Sequence, residues 1–283
     1  MNIFKWLTTF LIVIIASLGG FLYYSFNIEP YQVEVVEYVS VKDKEAEDEI
    51  KVVQFSDVHI KEDFTHENLE EAVNKINQQN PDFVVFTGDL YDNYSIYNDD
   101  ENIIATLNKI ESKIGKIAIW GNRDYGGGAA QHYAQIIQKA GFVLLSNQSQ
   151  FFSLENNKKV LFTGLDDALL GAPDLESSKT DESVDYSILL SHEPDFINQY
   201  DTSDYNIILA GHSHGGQVHI PFIPSVNQTG LSHYSHSKKY SKGFYDLHKE
   251  GDKKNYVNSG IGTTHISARF GVVPEITLFR ILI

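Results

Sequence analysis

The sequence contains no cysteine. This absence excludes a disulfide framework, a thiolate metal site and a cysteine nucleophile. Any metal ligands must therefore come from His, Asp, Asn or Glu side chains. Two catalytic signatures are also absent from the 283 residues, namely the H-E-x-x-H pattern of zinc peptidases and the G-x-x-x-x-G-K-S/T loop of nucleotide hydrolases.

Basic residues are few relative to acidic ones. The chain has 22 Lys and Arg against 38 Asp and Glu, which gives a formal net charge of -16. Nucleic-acid binding depends on a net basic surface, so we expect no nucleic-acid partner. Any anionic substrate must be attracted by a local positive charge.

The amino-terminal segment has no charged residue from Trp6 to Ile28. Its apolar length suffices to cross ~30 Å of hydrocarbon, so 1–28 is predicted to be a cytoplasmic start and a single transmembrane anchor. Lys5 precedes this run and Glu29 follows it, which places the remaining chain on the extracytoplasmic side of the cell membrane. A cleaved secretory signal is the alternative, although the run exceeds the roughly 7–15 apolar residues of a signal core. Under both interpretations, the rest of the chain is exported from the cytoplasm.

The remaining chain is predicted to form a lead-in strand and linker over 29–48 and one domain over 49–283. In this domain, short apolar runs of strand length are followed directly by polar residues; the runs are 51–55, 83–86, 117–120, 187–190 and 207–210. Helical patterns cover 67–79 and 129–140, and short strands from 160 onward indicate a second sheet. Alternating strands and helices predict an α/β fold with a largely parallel sheet, whose ligands gather beyond the carboxyl ends of its strands.

The polar residues after these runs include seven candidate metal ligands. They are Asp57, His59, Asp89, Asn122, His192, His212 and His214. A single D-x-H pair is not a specific signal. The specific signal is that each of five successive predicted strands is followed by a candidate ligand. Imidazole and carboxylate together suit Mn, Fe or Zn. Seven ligands exceed one tetrahedral site and suit two divalent ions that share a carboxylate.

The motifs resemble those of calcineurin-like metallophosphoesterases, whose pattern is D-x-H, G-D-x-x-D, G-N-H-D/E, H and G-H-x-H. Here they read 57–59, 88–92, 121–124, His192 and 211–214, in the same order over about 160 residues between the first and last motif. The stretches "SHEPD", "AGHSHGGQVHIPF", "SGIGTT" and "PEITL" resemble more narrowly a membrane-anchored bacterial branch that includes UDP-2,3-diacylglucosamine pyrophosphatase-like proteins.

The resemblance implies two facing β-sheets flanked by helices and two metal sites. One ion would be held by Asp57, His59, Asp89 and His214, and the other by Asp89, Asn122, His192 and His212, so that Asp89 bridges. The implied reaction is hydrolysis of a phosphodiester or pyrophosphate bond, in a lipid-linked or nucleotide-linked small molecule, by a metal-bridging hydroxide. Asp92 is expected to orient a ligand.

Arg123 stands where the family pattern has histidine. A guanidinium keeps its proton and cannot act as general acid, but its planar donors can bind phosphate oxygens. We expect Arg123, steadied by Asp124, to stabilise charge on the phosphate. Loss of a general acid costs about 10²- to 10⁴-fold in rate, and it matters least for good leaving groups. The alternative is a metal-binding protein with weak or no catalysis.

Residues outside the seven candidate ligands carry weaker signals for substrate contact or catalysis. His219, His265 and Arg269 are candidates for substrate contact, although packing and ion pairing are the simpler interpretations. Ser213 lies in a G-x-S-x-G pattern, but the glycine and prolines after it oppose the helix that a serine-hydrolase elbow requires. The aromatic segment 219–245 suits either a substrate-contacting or membrane-facing loop or, preferably, turn and strand packing.

Overall fold

The computed structural model describes residues 3–41, 48–155, 157–180, 182–223, 236–247 and 254–283. Part of the predicted linker, 42–47, and the middle of the aromatic segment, 224–235, lie outside the described residues.

The chain begins with one long apolar helix, α1 (Ile3–Asn27), whose 25 residues are exposed along most of its length. Within the span Ile3–Tyr31, an 18-residue stretch has a mean hydropathy of 2.0, so by length and composition the helix can cross a membrane. A 3-10 turn (Glu29–Tyr31) follows, and then strand β1 (Glu34–Val41). The strand lies within the segment predicted to contain a lead-in strand.

The first sheet has six strands in the order β1-β12-β2-β3-β4-β5. Their bounds are β2 (Glu49–Phe55), β3 (Phe83–Phe86), β4 (Gly115–Ala118), β5 (Val143–Leu144) and β12 (Glu275–Leu282), in addition to β1. β12 pairs antiparallel with β2, and the other pairs are parallel. The carboxyl ends of β2, β3 and β4 therefore lie at one edge.

The second sheet also has six strands, in the order β10-β11-β9-β8-β7-β6. They are β6 (Gln148–Ser153), β7 (Lys159–Gly164), β8 (Tyr186–Leu190), β9 (Ile207–Ala210), β10 (Gly243–Asp246) and β11 (Lys254–Val257). The central strands are parallel, but β6 and β10 are antiparallel to their neighbours. Seven of the ten strand pairs among the described residues are parallel, so the expectation of largely parallel strands is confirmed.

Four α-helices follow α1 among the described residues: α2 (His66–Gln78), α3 (Asp100–Asn108), α4 (Asn122–Tyr125) and α5 (Tyr133–Lys139). α2 matches the predicted helix, and Thr65 caps it by accepting a hydrogen bond from the backbone N–H of Glu67. α5 begins four residues later than predicted. The glycines at 126–128 precede it, and two of them have a positive φ that interrupts helical geometry.

Three clusters of buried apolar side chains hold these elements together, and two of them lie on the two faces of the first sheet. Alternate residues of β3 face opposite ways: Phe83 packs between the sheets, and Phe86 packs under α2, α3 and α5. The ring of Phe83 lies 5.0 Å from that of Phe162 in the facing sheet. The fold is therefore the expected α/β sandwich of two facing sheets flanked by helices.

Replacing Phe83 with alanine tests the inter-sheet core. The side chain is fully buried, so Phe83→Ala should lower the free energy of unfolding by about 3–5 kcal/mol. Denaturant unfolding of the full chain in detergent measures the change. Ile114→Ala, at an exposed position, is the control and should alter stability by less than about 0.5 kcal/mol. Equal effects of the two variants would contradict the assigned packing.

Candidate metal centre

The seven candidate ligands all lie beyond the carboxyl ends of strands, where the two sheets meet. Asp57 and His59 follow β2, Asp89 follows β3, Asn122 follows β4, His192 follows β8, and His212 and His214 follow β9. The sheets are joined here by hydrogen bonds. The Gln54 side-chain amide donates to the Ala210 carbonyl at 3.0 Å, and the His212 backbone N–H donates to the Asp57 carboxylate at 3.0 Å.

One group of side chains consists of Asp57, His59 and His214, all buried. Each offers one ligand atom, and these atoms lie within 4.8 Å of one another. The Nε2 atoms of the two histidines are 3.0 Å apart, and His214 Nε2 is 3.5 Å from Asp57 Oδ1. Nitrogen and oxygen donors thus converge on one small volume.

A second group consists of Asp89, His192 and His212, and it meets the same 4.8 Å criterion. Asp89 Oδ2 lies 3.4 Å from His192 Nε2 and also 3.4 Å from His59 Nε2 in the first group. The Asp89 carboxylate therefore lies between the two groups.

Several buried polar atoms at this site have no hydrogen-bond partner among the described residues. They are Asn122 Oδ1, His192 Nε2 and His214 Nδ1. A buried polar atom left without a partner costs about 1–3 kcal/mol. Coordination of a cation would remove this cost for His192 Nε2, which lies 3.4 Å from the Asp89 carboxylate. The donor set therefore fits borderline divalent ions.

Hydrogen bonds from neighbouring groups orient two of the imidazoles. Asp92 Oδ1 lies 3.2 Å from His59 Nδ1, and the Thr87 carbonyl accepts from His192 Nδ1 at 2.6 Å. With Nδ1 bonded in this way, each ring presents Nε2 to the interior of the site. The placement of Asp92 agrees with its predicted orienting role.

Five of the seven candidate ligands have a left-handed backbone, with φ between 48° and 66°. They are Asp57, His59, Asp89, His212 and His214. This conformation is uncommon for residues other than glycine, costs about 1–3 kcal/mol each, and clusters at functional sites. The surrounding hydrogen bonds, such as Asp57 N–H to the Gly88 carbonyl at 2.9 Å, hold it in place.

Gly88 is required by the close approach of the strand ends. Its φ is +95°, and a Cβ atom there would lie 2.6 Å from the backbone N of Gly121 and 2.9 Å from His192 Nδ1. Any side chain would push apart the loops that carry Asp89, Asn122 and His192. Steric crowding therefore explains why glycine precedes Asp89.

The buried charges shift the ionisation of the site. Burial raises the pKa of the Asp57 carboxyl, but the neighbouring His214 and His59 rings outweigh it, and the net pKa lies well below its usual range. Burial lowers the pKa of His212 to about 4, and it also lowers the pKa of His214. These two imidazoles are therefore neutral at physiological pH, which is the form that binds a metal ion.

Asp124 does not steady Arg123, and that prediction was wrong. Its buried carboxylate accepts backbone N–H groups of Asp89, Leu90 and Gly121 at 2.8, 2.9 and 2.8 Å. Burial and the Asp89 charge raise the pKa of the Asp124 carboxyl to about 8, and the three amides oppose this shift. Asp124 thus joins the loop after β3 to the start of α4.

The Arg123 side chain is instead held by a segment that is distant in sequence. Its Nη2 donates to Thr264 Oγ1 at 3.1 Å and lies 3.4 Å from His265 Nε2. Thr264 Oγ1 in turn donates to Asp92 Oδ1 at 3.2 Å. Sequence reasoning did not identify Thr264, although it lies in the "SGIGTT" stretch that contributed to the family resemblance.

The other candidates for substrate contact are placed differently. His265 is exposed beside Arg123, and His219 is exposed outside the two ligand groups. Arg269 is fully buried, and its guanidinium donates to the backbone carbonyls of Ser259, Gly260, Gly262 and Val272. Arg269 therefore stabilises the loop over 259–272, which agrees with a packing role for this residue.

Ser213 is not placed as a hydrolase nucleophile. Its hydroxyl donates to the Ser241 carbonyl at 2.5 Å, and the chain continues as a 3-10 turn (His214–Gly216). A nucleophile elbow requires an α-helix at this point.

Comparisons with known proteins agree with this geometry. The uncharacterized metallophosphoesterase YkuE of Bacillus subtilis is 37% identical over 93% of this chain and 90% of its own length. The UDP-2,3-diacylglucosamine pyrophosphatase LpxG of Chlamydia trachomatis is 25% identical over 82% of this chain and 84% of its own. The phosphodiesterase YaeI of Escherichia coli is 24% identical over 95% of both.

The family model for calcineurin-like phosphoesterases matches residues 50–216, a range that contains all seven candidate ligands. Because this match covers more than half of the chain and the similarity to YkuE extends over most of both proteins, the chain belongs to the calcineurin-like phosphoesterase family.

Proposed function

We propose that this protein is a membrane-anchored hydrolase of phosphodiester or pyrophosphate bonds that works with two divalent ions. The observation that carries the proposal is the pair of convergent ligand groups with the Asp89 carboxylate between them. Nitrogen and oxygen donors without thiolates favour Mn, Fe or Zn. When bound, such ions polarise phosphoryl oxygens and lower the pKa of bound water, which is the chemistry that phosphoester hydrolysis requires.

The proposed ligand sets follow the two groups. Asp57, His59, Asp89 and His214 hold one ion, and Asp89, Asn122, His192 and His212 hold the other. Asn122 belongs to the second set because its buried Oδ1 has no partner among the described residues. Asp124 supports both sets by fixing the backbone N–H of Asp89.

Arg123 is proposed to bind the substrate phosphate and to stabilise the charge that develops there. Its guanidinium is half-buried at the site, and its contact with Thr264 is with a neutral hydroxyl. The positive charge therefore remains available for an anion. Since a guanidinium does not protonate the leaving oxygen, the favoured substrates are those with stable anionic leaving groups, such as pyrophosphates.

The relatives support the same substrate classes. LpxG is named as a pyrophosphatase and YaeI as a phosphodiesterase. A pyrophosphatase displaces a phosphate from a phosphoanhydride, and a phosphodiesterase displaces an alkoxide from a diester, so both break a P–O bond at phosphorus. We infer a small-molecule substrate, lipid-linked or nucleotide-linked, that contains such a bond.

The proposed location is the cell membrane, with a single span and the catalytic domain on the extracytoplasmic side. The exposed apolar helix α1 supports the span, and Lys5 before it with Glu29 after it supports the orientation. Residues 29–48 would then join the anchor to the catalytic domain over 49–283 and add β1 to its first sheet.

Asp89→Asn tests the shared ligand. We expect turnover of an aryl phosphodiester with added Mn²⁺ to fall by more than about 100-fold, because even residues that only orient a ligand contribute 10- to 100-fold. Metal content, measured by elemental analysis, should fall as well. Glu101→Gln, an exposed carboxylate change on α3, is the matched control and should leave both values unchanged.

Two outcomes of this experiment would overturn the proposal in different ways. A native protein that binds metal but shows no turnover that depends on Asp89 is a metal-binding protein without catalysis. A native protein that binds no metal after supplementation lacks the proposed centre altogether.

Arg123→His tests the role of the guanidinium. The histidine restores a proton donor, so we expect faster cleavage of alkyl phosphodiesters, whose leaving groups are poor. The same change removes a planar phosphate ligand and should slow the cleavage of pyrophosphate bonds. Turnover of both substrate classes by both proteins measures the effect. A histidine variant that is no faster on the alkyl substrate contradicts this assignment.

Thr264→Val tests the contact that positions Arg123. Loss of the hydroxyl should reduce kcat/KM by about 10- to 100-fold, and Thr264→Ser should restore most of it. The ratio of rates on good and poor leaving groups should shift in Thr264→Val as it does in Arg123 variants. A uniform loss of activity together with a lower melting temperature would indicate a structural role alone.

A further inference from the structure

The end of α1 is fixed against the catalytic domain. The backbone N–H of Arg269 donates to the Ser25 carbonyl at 2.9 Å, and the rings of Phe21 and Phe270 are 4.6 Å apart, edge to face. Just beyond the helix, the buried carboxylate of Glu29 accepts the backbone N–H of Val272 at 2.8 Å. The helix therefore joins the domain at a defined contact.

The segment in this contact, residues 264–272, also reaches the candidate active site. It begins with Thr264 and His265, which touch the guanidinium of Arg123. Phe270 is five Cα–Cα steps along the chain from His265, and these steps span at most about 18 Å. The opening of the site is therefore close to the point where α1 leaves the domain.

A second segment, residues 217–223, is paired with the first. The backbone N–H of His219 donates to the Phe270 carbonyl at 2.7 Å, and the Gln217 side-chain amide donates to the Ile266 carbonyl at 3.0 Å. Both segments are thus held beside the end of α1.

These paired segments expose four large apolar side chains. Ile266 is 60% exposed, Ile223 is 57% exposed, Ile220 is 36% exposed and Phe222 is fully exposed. Single exposed apolar residues are ordinary, but a group beside an apolar helix marks an interaction surface. We name Ile220, Phe222, Ile223 and Ile266 the apolar rim.

We propose that the apolar rim inserts into the lipid surface from which α1 emerges, so that the active site opens at the level of the lipid headgroups. This inference rests on the proposed membrane anchor. The lipid surface is the favoured partner because the segment that bears Ile266 contacts the last turns of α1 through Phe270, and Tyr23 and Phe26 in those turns are exposed. Aromatic side chains at the end of a span are typical of the membrane interface.

The consequence concerns the substrate. A site that opens at headgroup level accepts an amphiphilic molecule whose phosphodiester or pyrophosphate bond stays at the water boundary while its apolar part remains in the bilayer. The substrate then needs no extraction into water before it reaches Arg123.

The absence of native cysteine allows single labels to test this surface. Phe222→Cys and Ile266→Cys are labelled with a polarity-sensitive fluorophore in the full chain. Each protein is reconstituted into vesicles of phosphatidylethanolamine and phosphatidylglycerol in three forms: without bromine, with bromine atoms near the headgroup end of the acyl chains, and with bromine atoms near the chain ends. We expect bromine near the headgroup end to cause a loss of emission at both positions.

Two further labels separate the possible failures. Val13→Cys, within α1, reports the span, and Ile114→Cys, before β4 at the opposite edge of the sheet, should keep its emission. If emission is lost at Val13 but not at Phe222 and Ile266, the apolar rim does not insert into lipid, whereas α1 still anchors the protein. No loss at Val13 overturns the anchor. A blue shift at Phe222 that bromine does not quench indicates contact with protein and also overturns the rim.

Discussion

The position of the Asp89 carboxylate is the constraint on which the rest of the site depends. Its Oδ2 lies 3.4 Å from imidazoles of both ligand groups, and its Oδ1 accepts the Arg123 backbone N–H at 2.7 Å. Asp57, Asp89 and Asp124 are all buried within this small volume. Buried negative charges are costly unless cations or hydrogen bonds compensate them. The backbone amides compensate Asp124, whereas the other two carboxylates are arranged for cations.

Buried apolar clusters on the two faces of the first sheet hold the ligand residues in place. Five ligand residues in left-handed conformations carry a local strain of about 1–3 kcal/mol each. The layers of buried side chains on both faces of the first sheet, with Phe83 on one and Phe86 on the other, fix the strand ends against this strain. Strain is retained at the site because the strands that bear it cannot shift independently of the cores.

Much of the site could be predicted from sequence because parallel strands bring their carboxyl ends to one edge. Apolar runs followed by Asp89, Asn122 and His192 therefore implied proximity without any knowledge of the pairing. The antiparallel insertion of β12 between β1 and β2 could not be predicted, since periodicity carries no strand direction. Contacts between distant residues were also missed. The family pattern G-N-H-D/E, in which the acid holds the preceding residue, predicts Asp124 as the partner of Arg123, whereas the observed partner, Thr264, is 141 residues away.

The identity of the Arg123 partner determines the electrostatics of the site. A carboxylate in direct contact with Arg123 would neutralise its charge, whereas the Thr264 hydroxyl orients the guanidinium without doing so. Asp92, whose carboxylate binds the His59 ring, interacts with the Arg123 charge without direct contact. In a chain of net charge -16, a cation whose direct contacts are neutral provides a local attraction for an anion at the edge of a buried site. In the proposed mechanism, Arg123 stabilises charge where the family histidine would transfer a proton, and its contact with a neutral hydroxyl is what suits it to that role.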